Sequence, residues 1–169
     1  IDLNVDDSFV QYIIDMLEGE TDYQSIIVKF EILHHEGIDI NSIQDELMEN
    51  PFFVICDPKD VETNIEVLKK YVEPEEVSKV IAMNPDYLTI EENNFEQNIK
   101  MLKLILPEDT FNVLLKGNGE ILTFNSDFLE KRLEFFIKNG FKDRLEEFII
   151  GRIDLFDMDE AEINLDDLL

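Results

Sequence analysis

Two prolines 34 residues apart are followed by the same arrangement of apolar side chains. Asn50-Pro51 leads to Val54, Val61, Ile65 and Leu68, and Asn84-Pro85 leads to Leu88, Phe95, Ile99 and Leu102. In both cases the apolar residues stand 3, 10, 14 and 17 positions after the proline. Spacings of three and four residues line up on one helix face. A fixed period with the same slots filled means one supersecondary unit used again, and such a unit cannot bury its apolar face alone. The pattern therefore points to stacked helical repeats.

The register extends in both directions. One step of 34 beyond Pro85 reaches Gly119, with Leu122, Leu129, Leu133 and Phe136 in the same slots, and a further step reaches Ile153, followed by Phe156 and Ile163. Backwards from Leu68, a step of 35 reaches Leu33, with Phe30 and Ile26 in matching slots. The 169-residue chain then reads as a single all-α solenoid domain, right- or left-handed. Its units fall at 51–84, 85–118 and 119–152, with a partial unit at 1–50 and a partial acidic unit at 153–169. The expected repeat core is Pro51, Val54, Val61, Ile65, Leu68, Pro85, Leu88, Phe95, Ile99, Leu102, Leu122, Leu129, Leu133 and Phe136. Thirteen Phe and 44% hydrophobic residues are ample to fill it.

Local signals predict where the helices begin and end. Asp57-Pro58 supplies a cap followed by Pro in the first turn, while Glu73-Pro74-Glu75-Glu76 and Pro107-Glu108-Asp109 place acids at a positive helix end. Asn41 with Gln44, and Thr89 with Glu92, have the spacing of capping boxes. Phe9, Ile13, Ile14 and Leu17 predict a first helix behind Asp6, Asp7 and Ser8, closed by Gly19. Gly37 stands four residues after Leu33, as Gly140 stands four after Phe136, and Gly37 predicts a left-handed helix cap. Pro51 to Cys56 reads as a short apolar turn.

The unit of Pro-x-x-Leu, then apolar residues at 10, 14 and 17, often with Gly four later, resembles the repeat of the mitochondrial transcription termination factor (mTERF) family, over roughly residues 16 to 163. The resemblance implies left-handed triangular units of two α-helices plus a short 3₁₀ turn, stacked into a curved superhelix. It also implies binding of organellar nucleic acid through Lys and Arg on the concave side. A basic strip for that role is offered by Lys131, Arg132, Lys138, Lys142 and Arg144, with Arg152 beyond them. Glu130, Glu134, Asp143, Glu146 and Glu147 interleave with these bases at helical distances, a pattern that also describes a solvated face of ion pairs worth about 0.2–0.5 kcal/mol each.

Charge favours a different partner. Forty Asp and Glu against fourteen Lys and Arg give a net charge of −26, which repels phosphate backbones and anionic membranes and attracts basic proteins. Residues 1–28 carry −7 with no base, residues 153–169 another −7, and the middle −12. The favoured reading is a non-catalytic module whose acidic curved surface engages a basic protein, as a nucleic-acid mimic that blocks a DNA- or RNA-binding protein. Asp154, Asp157, Asp159, Glu160 and Glu162 are its candidate interface, and nucleic acid is then an unfavoured partner. The same acids serve solubility equally well. The alternative reading is an mTERF-like nucleic-acid-binding, transcription-related protein with a local basic strip.

Residues for catalysis, metal or cofactor chemistry do not assemble. His34 and His35, the two histidines, are adjacent and point to different helix faces. Cys56 follows Phe52, Phe53, Val54 and Ile55 and reads as an inert thiol. Acid pairs such as Glu75-Glu76 and Asp166-Asp167 are too many for any one to be informative, and 154–167 lacks the ligand spacing and central Gly of an EF-hand. Gly117-Asn118-Gly119 lacks the Lys-Ser/Thr of a phosphate loop. One cysteine suits a reducing compartment, no apolar run approaches about 18 residues, and Ile1 to Asn4 lacks a basic leader, so cytoplasm is the expected location. The residues do not decide between monomer and oligomer.

Overall fold

A computed structural model describes residues 7–16, 23–91 and 93–168, and the regular structure among these is α-helix and 3₁₀ turn. Asp6, Leu17, Gly19 and Glu92, on which parts of the expected helix ends fall, lie outside the described residues, as do the side chains of Asp7, Phe9, Ile14 and the expected core residue Pro51. The chain divides into two compact units, Ile1–Phe95 and Glu96–Leu169.

The first unit contains α1 (Asp7–Met16), α2 (Tyr23–His35), a 3₁₀ turn at Ile40–Ser42 and α3 (Gln44–Glu49). It continues through α4 (Pro51–Ile55), α5 (Pro58–Leu68), α6 (Pro74–Met83) and a 3₁₀ turn at Pro85–Thr89. Helix α7 (Asn94–Lys103) carries the chain into the second unit. There follow α8 (Glu108–Lys116), a 3₁₀ turn at Glu120–Thr123 and α9 (Ser126–Lys138). Then come a 3₁₀ turn at Lys142–Arg144, α10 (Leu145–Gly151), α11 (Asp154–Asp157) and 3₁₀ turns at Glu160–Glu162 and Leu165–Leu168. The class is all-α helical repeat.

Positions counted from Pro51, Pro85, Gly119 and Ile153 have the same structural meaning each time. Residues at the third position, Val54, Leu88, Leu122 and Phe156, are buried, as are Val61, Phe95, Leu129 and Ile163 at the tenth. Ile65, Ile99 and Leu133 at the fourteenth and Leu68, Leu102 and Phe136 at the seventeenth are buried too. These positions recur every three or four residues along α5, α7 and α9, so one stripe of each helix faces the core. The sixth position carries caps. The Asp57 carboxylate accepts from the Lys59 N–H at 2.8 Å, Asn125 accepts from the Phe128 N–H at 3.1 Å, and Asp159 accepts from the Ala161 N–H at 2.9 Å.

Helices α5, α6 and α8 begin at the expected acid and proline signals. Gly37, at φ 72°, ends α2 with the Ile38 N–H donating to the Leu33 carbonyl, and Gly140, at φ 89°, ends α9 with the Phe141 N–H donating to Phe136, both at 2.9 Å. Six-to-one bonds of this kind need a residue that tolerates positive φ. Two local expectations are corrected. Asn41 lies inside a 3₁₀ turn capped by Asp39, whose carboxylate takes the Asn41 N–H at 3.1 Å. Thr89 ends its 3₁₀ turn and donates its hydroxyl to the Asp86 carbonyl, and α7 starts only at Asn94, after Asn93 at φ 67°. The short apolar turn expected from Pro51 is α-helical, Pro51–Ile55, and is capped by Asn50.

Candidate functional site

The expected basic strip does not form a continuous cationic surface. Lys131 and Lys142 are exposed and make no ion pair among the described residues. Lys138 is held by Glu134 at 3.3 Å, one turn back on α9. Arg144 grips both carboxylate oxygens of Glu147, at 2.9 and 2.7 Å, and lies over the Phe148 ring at 5.0 Å. Arg152 is paired in the same fork-like way with Asp154. Those hydrogen bonds hold the Glu147 and Asp154 carboxyls below the usual carboxylate range. Arg132 is not on the surface at all.

The five acids of the expected acidic interface are all exposed. They have distinct local tasks: Asp154 faces Arg152, and Asp159 caps a turn.

Where Arg132 does lie reveals a feature that residue types alone conceal. It stands thirteen residues after Gly119, as Asn98 does after Pro85 and Asn64 after Pro51; Lys29 stands 35 before Asn64. All four are buried, with relative exposures of 0% for Lys29, 2% for Asn64, 0% for Asn98 and 4% for Arg132. All four donate to the carbonyl of the residue at the fifth position of the following repeat. Lys29 Nζ reaches Cys56 O at 2.8 Å, Asn64 Nδ2 reaches Ile90 O at 2.8 Å, Asn98 Nδ2 reaches Phe124 O at 2.6 Å, and an Arg132 guanidinium nitrogen reaches Met158 O. These acceptors are the residues that leave each short helix in extended conformation, with ψ of 151°, 126°, 153° and 151°. Their carbonyls are no longer committed to a helix and need a donor. The signal for this was a polar residue kept beside apolar neighbours, one position before the fourteenth.

The rungs differ in how completely they are used. Lys29 also donates to Phe53 O at 2.6 Å and Val54 O at 2.9 Å, so its ammonium is fully engaged. Asn98 also reaches Leu122 O at 3.0 Å. Arg132, between the rings of Phe128 and Phe135 at 5.5 and 5.8 Å, leaves Nε and one Nη buried with no acceptor among the described residues. Burial pulls the Lys29 ammonium below the ordinary lysine value and pushes up the half-buried Cys56 thiol, whose sulfur lies 3.8 Å from Nζ.

No group of three or more His, Cys, Asp or Glu placed to hold a metal occurs among the described residues, and no described helix is long and apolar enough to cross a membrane. A groove of about 340 Å³ is lined by Glu31, His35, Glu36 and Glu62 with Val28, Ile32 and Ile65. Within it Glu36 is committed to Lys69 at 2.6 Å, and that hydrogen bond lowers its pKa. A lowered carboxyl pKa adds stability above the unfolded value of 4.5 that is lost as pH falls through the folded value. Lys69→Ala is therefore expected to cost about 0.5–1 kcal/mol near neutral pH, discounted for solvent screening. In urea melts that difference vanishes once pH drops below the lowered Glu36 value.

Comparison with curated proteins and with solved structures yields no match. The mTERF family profile, in contrast, matches residues 14–149, which include α2 through α9, three of the four rungs as whole donor–acceptor pairs, and the Arg132 donor of the fourth. With its 34-residue register, buried stripes and 3₁₀ turns, the chain belongs to the mTERF family.

Proposed function

We propose that this chain is a non-catalytic, transcription-related binding protein that contacts nucleic acid through the exposed bases of residues 119–152. Membership of the mTERF family carries this reading, because it moves weight from a basic protein partner, which net charge alone favours, to the nucleic acid that the resemblance implies. Six of the fourteen Lys and Arg fall in that one repeat, and Lys131 and Lys142 are exposed in it. The acids around them keep affinity low and strongly dependent on salt. The single free cysteine suits a reducing compartment such as the cytoplasm.

The test is binding to duplex DNA at about 50 and about 200 mM salt. Neutralising about three phosphates gives a loss of roughly 40-fold across that range. Lys131→Glu combined with Lys142→Glu is expected to weaken binding further at the lower salt. Absence of binding at about 50 mM salt overturns the proposal. One observation favours a second reading, an acidic surface that engages a basic protein: Glu134, Glu147 and Asp154 already occupy Lys138, Arg144 and Arg152. Under it, DNA does not bind, whereas a polylysine probe does, and charge reversal at Asp157, Glu160 and Glu162 weakens the probe.

A further inference from the structure

Arg132 occupies a rung where the neighbouring repeats carry asparagine, and it is the worst satisfied of the four. A guanidinium has five N–H donors, and this one reaches a single carbonyl of the 153–168 segment, that of Met158, while Nε and one Nη are buried without an acceptor. Its aromatic neighbours Phe128 and Phe135 belong to its own helix, α9, so they stay with it whether or not the segment is docked. Orphaned donors on a buried cation cost more than one hydrogen bond returns. Undocking the segment opens to water the side of the guanidinium that faces Met158. Docking therefore works against Arg132, although the apolar side chains Leu155, Phe156, Ile163 and Leu168 favour it.

The segment itself is weakly built. It contains a four-residue helical turn and two 3₁₀ turns of three and four residues, none long enough to persist alone. It also carries seven acids and no base, against a repeat that holds seven acids and six bases, so net charge does not pull the two together.

We infer that segment 153–168 is a strap poised to open, with Arg132 as the built-in release point beneath it. Opening swings seven carboxylates away from the 119–152 repeat and uncovers the guanidinium and the Phe136 ring, which packs on Phe156 at 5.5 Å. The strap does not depend on what ligand the repeat binds.

Hydrogen exchange on the full chain tests it. Amides of Phe156, Met158, Glu162 and Asp167, all hydrogen-bonded within the strap, are expected to exchange by an opening that leaves α7 to α9 protected. Arg132→Met keeps the bulk, removes the orphaned donors and leaves the Met158 carbonyl on a half-exposed residue that water can reach. It is expected to slow strap exchange at least tenfold while exchange in α7 and α8 changes less than threefold. Arg132→Gln, which cuts the five N–H donors to two and removes the charge, is expected to act in the same direction. Faster strap exchange in Arg132→Met, or loss of folding, would show that the guanidinium holds the segment down and overturns the proposal. So would strap amides in the native chain that exchange only through global unfolding.

Discussion

Phe136→Ala is expected to destabilise the Glu96–Leu169 unit by about 3–5 kcal/mol, measured by urea or guanidinium denaturation followed through a probe in that unit. The ring is fully buried at the seventeenth position of its repeat, and the neighbouring aromatics converge on it. Phe148 of α10 lies at 5.2 Å, Phe156 of α11 at 5.5 Å and Phe135 at 5.4 Å between centroids, in tilted or edge-on arrangements. Such pairs add about 0.5–1.5 kcal/mol beyond the area they bury. Truncation removes three of these contacts at once and leaves a cavity that rigid rings cannot collapse to fill. Domains have a total stability of roughly 5–15 kcal/mol, so the variant sits near the limit of folding. Phe136→Leu restores most of the volume and is expected to recover more than half of the loss. A cost below about 1.5 kcal/mol for Phe136→Ala would mean that the ring cluster is not the centre of this unit.

The fold was legible wherever the pattern was apolar. Val61, Ile65 and Leu68 share a face because burial selects residue type directly, and the third, tenth, fourteenth and seventeenth positions read the same way in three repeats. Helix starts were legible at Asp57-Pro58, where backbone restriction and a side-chain acceptor coincide, and less so at Asn41 and Thr89. There the right spacing of polar residues occurred without a helix start, because Asn, Thr, Gln and Glu serve turns as readily as caps. The rungs were illegible by residue type. Lys, Asn, Asn and Arg have no common hydropathy, charge or shape, and Arg132 reads as one more surface base among Lys131, Lys138 and Lys142. What they share is a donor, and the demand for it comes from a carbonyl about 26 residues away that only the folded backbone turns outward. Interleaved acids likewise announced ion pairs on α9 and α10, yet spacing could not separate an exposed cation from a buried one.

Lys29→Met is expected to have the opposite sign to Arg132→Met at the equivalent rung, with a cost of about 2–4 kcal/mol to the Ile1–Phe95 unit. The Lys29 ammonium meets three carbonyls, those of Phe53, Val54 and Cys56, with no donor left over. Removing it orphans acceptors at buried residues, Phe53 and Val54, instead of relieving orphaned donors. Methionine fills the space and keeps the stem packed against α4, so the loss reports the missing hydrogen bonds and not a cavity. A titration separates this charge from ordinary packing. Burial lowers the Lys29 pKa below 10.5, so the folded protein holds that proton less tightly than the unfolded chain does. Between the lowered value and 10.5 the native protein gains stability as pH rises, because the cost of burying the charge, fully present below that window, is progressively removed. The Met variant has no such gain, and the stability difference between the two widens across the window. A difference that stays constant with pH would mean the side chain contributes through its stem alone, and a Met variant as stable as the native chain would show that water replaces the ammonium at all three carbonyls.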